Sequence, residues 1–226
     1  MDAKTTQGAS FDARSRVTRR MLARLWSDPR SRKVRRHLQA AAGAFVWHAV
    51  ARRGMVGAVA PSSARLARAM AMAAEGAERV VELGAGTGAV TAALIERHAA
   101  GALTAVEIDP HWAAALARRF PDVDVRCAPA DEVLQRLAAT GEAVVLVSSL
   151  PFRSLPPYWH ARTRAAIEGF LRADPRRRLV QYTYQPRAPF ETDGATPLVW
   201  RCRRTIWHNL PPAWIWELRA ADACGR

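Results

Sequence analysis

Between Arg79 and Thr183 the hydrophobic positions alternate between two spacings. Short runs of four to six apolar residues are each followed by a stretch in which apolar residues recur every three or four positions. "RVVELGAGTG" (79–88) predicts a strand passing into glycines, and "AVTAALIERHA" (89–99) a helix. "ALTAVEID" (102–109) predicts a strand and "HWAAALARRF" (111–120) a helix, followed by strand "DVDVRCA" and helix "DEVLQRLAA". Strand "AVVLVSS", helix "YWHARTRAAIEGFL" and strand "RRLVQYTY" continue the alternation. Strands alternating with helices imply an α/β fold, a parallel sheet with helices on both faces. The end breaks the rhythm: "LVWRCRRTIWHNLPPAWIWELRA" predicts two strands about Asn209-Leu210-Pro211-Pro212, an antiparallel hairpin.

The first part of the chain has a different pattern. Residues 1–12 are polar and carry no period. In "SRVTRRMLARLW" (15–26), Val17, Met21, Leu22, Leu25 and Trp26 fall on one helical face, with Arg16, Arg19, Arg20 and Arg24 largely elsewhere. Asp28-Pro29 interrupts this helix, and the alternation restarts with Arg30, Arg32, Lys33, Arg35 and Arg36 ahead of apolar Val34, Leu38 and Phe45. We expect a basic amphipathic arm over 1–55 and an α/β domain over 56–226. Gly54, Gly57 and Pro61 mark the loop between them, and Ser62 or Ser63 is placed to cap a helix running into "ARLARAMAMAA".

Charge sharpens that division. The 226 residues carry 34 Lys+Arg against 20 Asp+Glu, a net of +14, of which +10 lies in residues 1–60. The arm therefore fits a polyanion, and its amphipathic form favours an anionic leaflet over a nucleic acid. The longest apolar run, Leu38–Ala51, is 14 residues and carries a histidine, short of the roughly 20 that a spanning helix needs. With no signal-peptide pattern at the start, we expect a cytoplasmic protein bound peripherally to the inner face of the membrane. Cys127, Cys202 and Cys224 are scattered and signal neither a disulfide framework nor a metal site.

The chemistry concentrates at strand ends. Gly84, Gly86 and Gly88 permit a tight turn and a close ligand approach. Glu82 directly before them would repel a pyrophosphate but suits an amino group or a sulfonium. Glu107, ending the second strand, is placed to accept from a ribose diol. Asp131 either accepts from an adenine amino group or caps its own helix. "VVELGAGTG", "AVEIDP" and "PADEVL" resemble the cofactor motifs of class I S-adenosylmethionine-dependent methyltransferases. That resemblance implies a Rossmann-like fold with a mostly parallel seven-stranded sheet closed by a C-terminal hairpin, and S-adenosylmethionine as cofactor, leaving S-adenosylhomocysteine.

The acceptor is read from "SSLPF" (148–152). The ribosomal RNA adenine dimethyltransferases, which the chain also resembles, carry Asn before Leu-Pro-aromatic, where an amide carbonyl holds the exocyclic amine of a flipped base. Here Ser149 stands in that place, and a hydroxyl is shorter. A second resemblance covers roughly residues 15–219: "VGAVAPSS" (56–63), "ELGAGTG", "SSLPF", "VQYTYQP" (180–186) and "WHNLPPAWIWEL" (207–218) are similar to motifs of the small bacterial phospholipid N-methyltransferases. It implies successive methylation of phosphatidylethanolamine to phosphatidylcholine. Ser148 and Ser149 then orient the amine, Ser148 also faces the cofactor, and Tyr182 or Tyr184 assists. Phe152 supplies an aromatic wall, and Trp207, Trp214 and Trp216 are further candidates for holding methylated cations. Arg16, Arg19, Arg20, Arg24, Trp26, Lys33, Arg35 and Arg36 meet the membrane. No nucleic-acid partner is expected. The alternatives are an RNA adenine methyltransferase and an inactive binding module with this fold.

Overall fold

The computed structural model describes residues 61–194, 197–209 and 211–221. The proposed arm, with Arg16, Arg19, Arg20, Arg24, Trp26, Lys33, Arg35 and Arg36, lies outside the described residues, as does the boundary at 55/56. Twelve elements follow in order: α1 Pro61–Ala73, β1 Arg79–Leu83, α2 Ala89–Ile95, β2 Leu103–Glu107, α3 Pro110–Arg119, β3 Asp124–Cys127, α4 Ala130–Ala138, β4 Val144–Ser148, α5 Pro157–Arg172, β5 Arg178–Thr183, β6 Leu198–Ile206 and β7 Ala213–Ala220.

The strands form one seven-stranded sheet in the order β3-β2-β1-β4-β5-β7-β6. The first five are parallel. β7 enters antiparallel between β5 and β6, which is the hairpin that the tail of the sequence predicts. β1 lies between β2 and β4, so the chain reverses its direction of winding there and a crevice opens at the carboxyl ends of these strands.

The composition of the central strands follows from burial on both faces. "LTAVE" and "VVLVS" are buried along their whole lengths, so they read as continuous apolar runs. One face packs Val80, Val145, Val180 and Ile215 against Leu66 and Met70 of α1, Leu94 of α2 and Leu116 of α3. The other packs Val81, Leu146, Leu179 and Leu218 against Leu134 of α4 and Ile167, Phe170 and Leu171 of α5.

Two boundaries differ from the sequence expectation. α2 stops at Ile95 and not near residue 99, because the chain must turn through a short 3-10 segment, Ala100–Ala102, before β2. α1 begins at Pro61, ahead of both serines proposed as caps. Proline's fixed φ suits the first helical turn.

Arg177, just before β5, is 1 % exposed and fastens three segments. Its guanidinium donates to the carbonyl oxygens of Glu142 (3.0 Å), Phe170 (3.1 Å) and Ala138 (3.5 Å), and stacks 4.1 Å from the centre of the Phe170 ring. It thus ties the ends of α4 and α5 to the loop before β4. Arg177→Ala would strand these carbonyls and open a cavity, and chemical denaturation is expected to show a loss of roughly 2–4 kcal/mol. Arg177→Lys keeps the charge but not the planar fork, and should recover only part of it.

Candidate functional site

Two clefts open along the carboxyl edge of the sheet. The first is walled by Gly84, Val106, Glu107, Ile108, Ala128, Pro129, Ala130, Leu150, Leu155, Pro156, Trp159 and Thr163, an apolar slot with a carboxylate on one side. The turn from β1 into α2 forms one edge of it. Gly84, Gly86 and Gly88 all have positive φ, at 77°, 54° and 80°. A Cβ on Gly84 would come 2.7 Å from Leu150 Cδ2, and one on Gly88 would come 2.6 Å from the Phe120 ring. At Gly86 a Cβ would meet nothing within 4 Å, so the backbone there faces open space.

Glu107 holds this turn in shape. Its Oε2 accepts from the Gly86 N–H at 2.8 Å and its Oε1 from the Asp109 N–H at 2.9 Å. Burial raises its pKa above the ordinary carboxyl value, opposed by these N–H groups. Asp109 in turn caps α3, accepting from the N–H groups of His111 (2.8 Å) and Trp112 (3.2 Å) with Pro110 in the first turn.

Glu82 is wholly buried at the end of β1. Oε2 accepts a 2.6 Å hydrogen bond from Thr91 Oγ1, while Oε1 has no partner. Burial pushes this carboxyl from 4.5 to about 7, with the Thr91 hydroxyl opposing the rise and the Glu107 charge adding to it. Thr91, from α2, is a residue that the motif reading passed over. Its signal is its place three residues after the last glycine, which puts it on the first turn of α2, above the strand end.

Of the two roles expected of Asp131, the helix cap is not taken. α4 starts at Ala130 behind Pro129, so Asp131 lies within the first turn, and its Oδ2 pairs with Arg162 of α5. Oδ1 is buried without a partner, and so is the atom open to an amino donor.

These features fit S-adenosylmethionine. Glu82, like Ser148, lines neither cleft, but its unpartnered oxygen beneath the β1 turn has the charge that suits an ammonium; Glu107 retains lone pairs for a ribose, and the apolar slot between Ile108, Pro129 and Leu150 suits a flat base.

The second cleft lies at the ends of β4 and β5, lined by Ser149, Leu150, Pro151, Phe152, Arg153, Ser154, Gln181, Tyr182, Thr183, Tyr184, Gln185 and Pro189. The fold thus brings Ser149, Phe152, Tyr182 and Tyr184 to one place. Ser149 N–H donates to the Leu83 carbonyl at 2.9 Å, fixing the half-buried residue against the end of β1. The rings of Tyr182 and Tyr184 stand edge to face at 5.5 Å.

Ser148 is placed differently. It is fully buried in β4, lines neither cleft, and its Oγ accepts from Leu150 N–H at 3.2 Å. Alternation along the strand turns it inward, so it shapes the loop from beneath. Phe152 contributes less face than expected: it is 3 % exposed and its ring packs on Phe190 at 4.6 Å and on His160 at 5.8 Å. It is a floor to the cleft. Of the tryptophans, Trp207 is 69 % exposed at the hairpin tip and packs on Trp214 at 6.2 Å. None of Trp207, Trp214 and Trp216 lines the cleft.

Gln181 was also passed over as a site residue. Its Nε2 donates to the carbonyls of Leu150 and Tyr182, each at 3.0 Å, which clamps the loop after β4 onto β5. Its side chain is buried and its Oε1 is unpartnered. Nothing in local spacing distinguishes it, because its partner Leu150 is 31 residues away.

No protein-family model matches the chain, and no curated protein matches it. Among solved structures, N-methyltransferase NodS from Bradyrhizobium japonicum WM9, in complex with S-adenosylhomocysteine, superposes with a TM-score of 0.52 at 12% identity, covering 79% of this chain and 100% of that one. The 1,6-didemethyltoxoflavin-N1-methyltransferase of Burkholderia thailandensis gives 0.51 at 21% identity, covering 82% and 90%. The chain shares the α/β fold of these two methyltransferases. The slot at the β1 turn holds the residues expected to meet a cofactor, and the β4–β5 cleft holds those expected to meet an acceptor.

Two outcomes are expected. A cationic amino group prefers ionised Glu82, so calorimetric affinity for S-adenosylmethionine should rise as pH climbs through about 7 and level off above it; Glu82→Gln should weaken binding and abolish the step. Without ligand the folded state holds this proton more tightly than the unfolded chain, so its contribution to stability declines from about pH 4.5 to about 7. Separately, Gln181→Leu should cost roughly 1–3 kcal/mol of unfolding free energy and speed amide hydrogen exchange at Leu150 and Phe152.

Proposed function

We propose that this protein transfers methyl groups from S-adenosylmethionine to the amine of phosphatidylethanolamine and its mono- and dimethyl derivatives, giving phosphatidylcholine at a membrane surface. The observation that carries the reading is Ser149 in the acceptor cleft, beside Tyr182 and Tyr184. A short hydroxyl there leaves room for a small head-group amine and lacks the amide carbonyl that would grip an adenine edge. The buried Phe152 ring points the same way, since stacking on a flipped base needs an open aromatic face. Resemblance over residues 15–219 to small bacterial phospholipid N-methyltransferases, and the basic amphipathic pattern of the arm, supply the lipid and the membrane.

The bound cofactor supplies an electrophilic methyl group on a sulfonium. Glu82, the Gly84–Gly88 turn and Glu107 would hold it, with the slot beside Ile108 and Leu150 taking the base. The chain's remaining work is positioning: in-line transfer needs a neutral amine lone pair fixed toward that methyl, and such preorganisation contributes roughly 7–11 kcal/mol. Ser149 Oγ and the backbone carbonyls of the β4 loop would accept from the amine N–H groups. A Tyr182 or Tyr184 hydroxyl would relay the departing proton, and the tyrosine faces would hold the methylated cation, each by about 0.5–2 kcal/mol.

The test is incubation of the full chain with labelled S-adenosylmethionine and either phosphatidylethanolamine vesicles containing phosphatidylglycerol or total RNA. Label is expected in lipid, with mono-, di- and trimethyl species separated by chromatography. Label in RNA would replace this reading with base methylation, and label in neither, with cofactor bound, would leave a binding module.

A further inference from the structure

We propose that Arg153 and Arg187 form a phosphate subsite at the mouth of the acceptor cleft, taking a phosphate ester two carbons and an oxygen away from the amine to be methylated. The inference deepens the lipid reading and rests on it.

Arg153 is on the rim of the cleft, and Arg187 lies on a second segment beside it, between Gln185 and Pro189, which both line the cleft. Arg153 lies in the 3-10 turn Phe152–Ser154 and is itself part of the cleft wall. Its Nη2 donates to the carbonyl of Ala188 at 3.4 Å, which draws it toward the segment that follows β5. Arg187 is on that segment. Its Nε donates to Gln185 Oε1 and its backbone N–H to the Gln185 carbonyl, both at 2.8 Å, and Gln185 also lines the cleft. Both guanidiniums are exposed and both bond only to neutral oxygens, leaving N–H groups of each fork for a ligand.

Among the described residues neither has an acid partner, a condition shared with Arg119, which bonds the Thr87 carbonyl, and with the buried Arg177. Arg79, Arg97, Arg126, Arg162, Arg172 and Arg176 each pair with a carboxylate within the domain. Burial, followed by the neighbouring charge of Arg187, lowers the Arg153 pKa, so the two cations feel each other. Like charges held together at a cleft mouth are uphill until an anion joins them. Two planar forks are the group that proteins use for bidentate recognition of phosphate. An aminoethyl phosphate carries both groups at once, a phosphate for the two arginines and an amine for the cleft. That chemistry could reach the protein as a phospholipid head group or as a water-soluble phosphorylated amine.

The test compares the wild-type full chain with the double variant Arg153→Gln/Arg187→Gln, and with Arg136→Gln on exposed α4 as a control for lost charge. Acceptors are dihexanoyl-phosphatidylethanolamine below its micellar concentration, phosphoethanolamine, and ethanolamine, which has no phosphate. Using a dispersed lipid removes membrane adsorption from the readout. The double variant is expected to raise KM for the dispersed lipid roughly tenfold or more, with kcat, cofactor affinity and melting temperature held and ethanolamine turnover unchanged. Calorimetry with glycerophosphoethanolamine reads binding without turnover, and should show it in the wild type and the control but not in the double variant. Lipid methylation by the wild type with an unchanged KM in the double variant overturns the subsite and leaves the lipid reading standing. Preference for phosphoethanolamine, lost with the same arginines, supports the subsite and overturns the lipid reading. No binding of glycerophosphoethanolamine by the wild type, or methylation of RNA alone, overturns the subsite.

Discussion

The candidate site depends on one carboxylate turned against the backbone. Glu107 ends β2, and by accepting from the Gly86 N–H it pulls the loop that leaves β1 across the strand ends. The same group accepts from Asp109, and Asp109 caps α3, so the turn, the neighbouring strand and the next helix share one anchor. Burying such a charge is costly unless hydrogen bonds replace its water, and here backbone N–H groups do so. One strand away, Glu82 has the opposite balance. It keeps a single partner, Thr91, and an idle oxygen. Two carboxylates of the same chemistry thus serve different ends: one organises the backbone, and the other is held at a cost that a cationic ligand would relieve.

The alternation of periods was enough to foresee the sheet. Every strand from "RVVEL" to "AWIWELRA" falls within a predicted run; the central parallel strands are legible because burial on both faces makes them apolar throughout, and the exposed edge strands β3 and β6 by their place between helical or turn segments. The strand-end residues Glu82, Glu107 and Ser149 were legible for a related reason, since the fold presents ligands to the ends of strands. What stayed hidden depends on distant partners. The link between Asp131 and Arg162 joins α4 to α5 across 31 positions, and Gln181 clamps Leu150 across as many. Inward or outward facing at a strand end was also hard to read. Ser148 and Ser149 are adjacent and alike, and only the last hydrogen-bonded position of β4 tells which of them turns away from the cleft.

Beyond its ion pairs, arginine has two distinct uses in the domain. Arg177 and Arg178 are structural ties, the first among carbonyls and the second from β5 to the carbonyls of Ala73 and Glu75 at the end of α1. Arg153 and Arg187, near the cleft at the ends of β4 and β5, are bound loosely, by neutral oxygens. Net charge alone would not separate them: the same residue type fastens the core where its donors are consumed by carbonyls, and faces outward where they are not.

Leu150 lines both clefts, and its side chain fills the space where Gly84 lacks a Cβ. Leu150 is therefore part of the wall between the two clefts. A molecule that moves Leu150 from one side alters the shape offered on the other, and by thermodynamic linkage the effect is reciprocal: whatever factor the first occupant imposes on the second, the second returns. A change in the rotamer of this one leucine would be felt in both clefts, without a hinge or a lid.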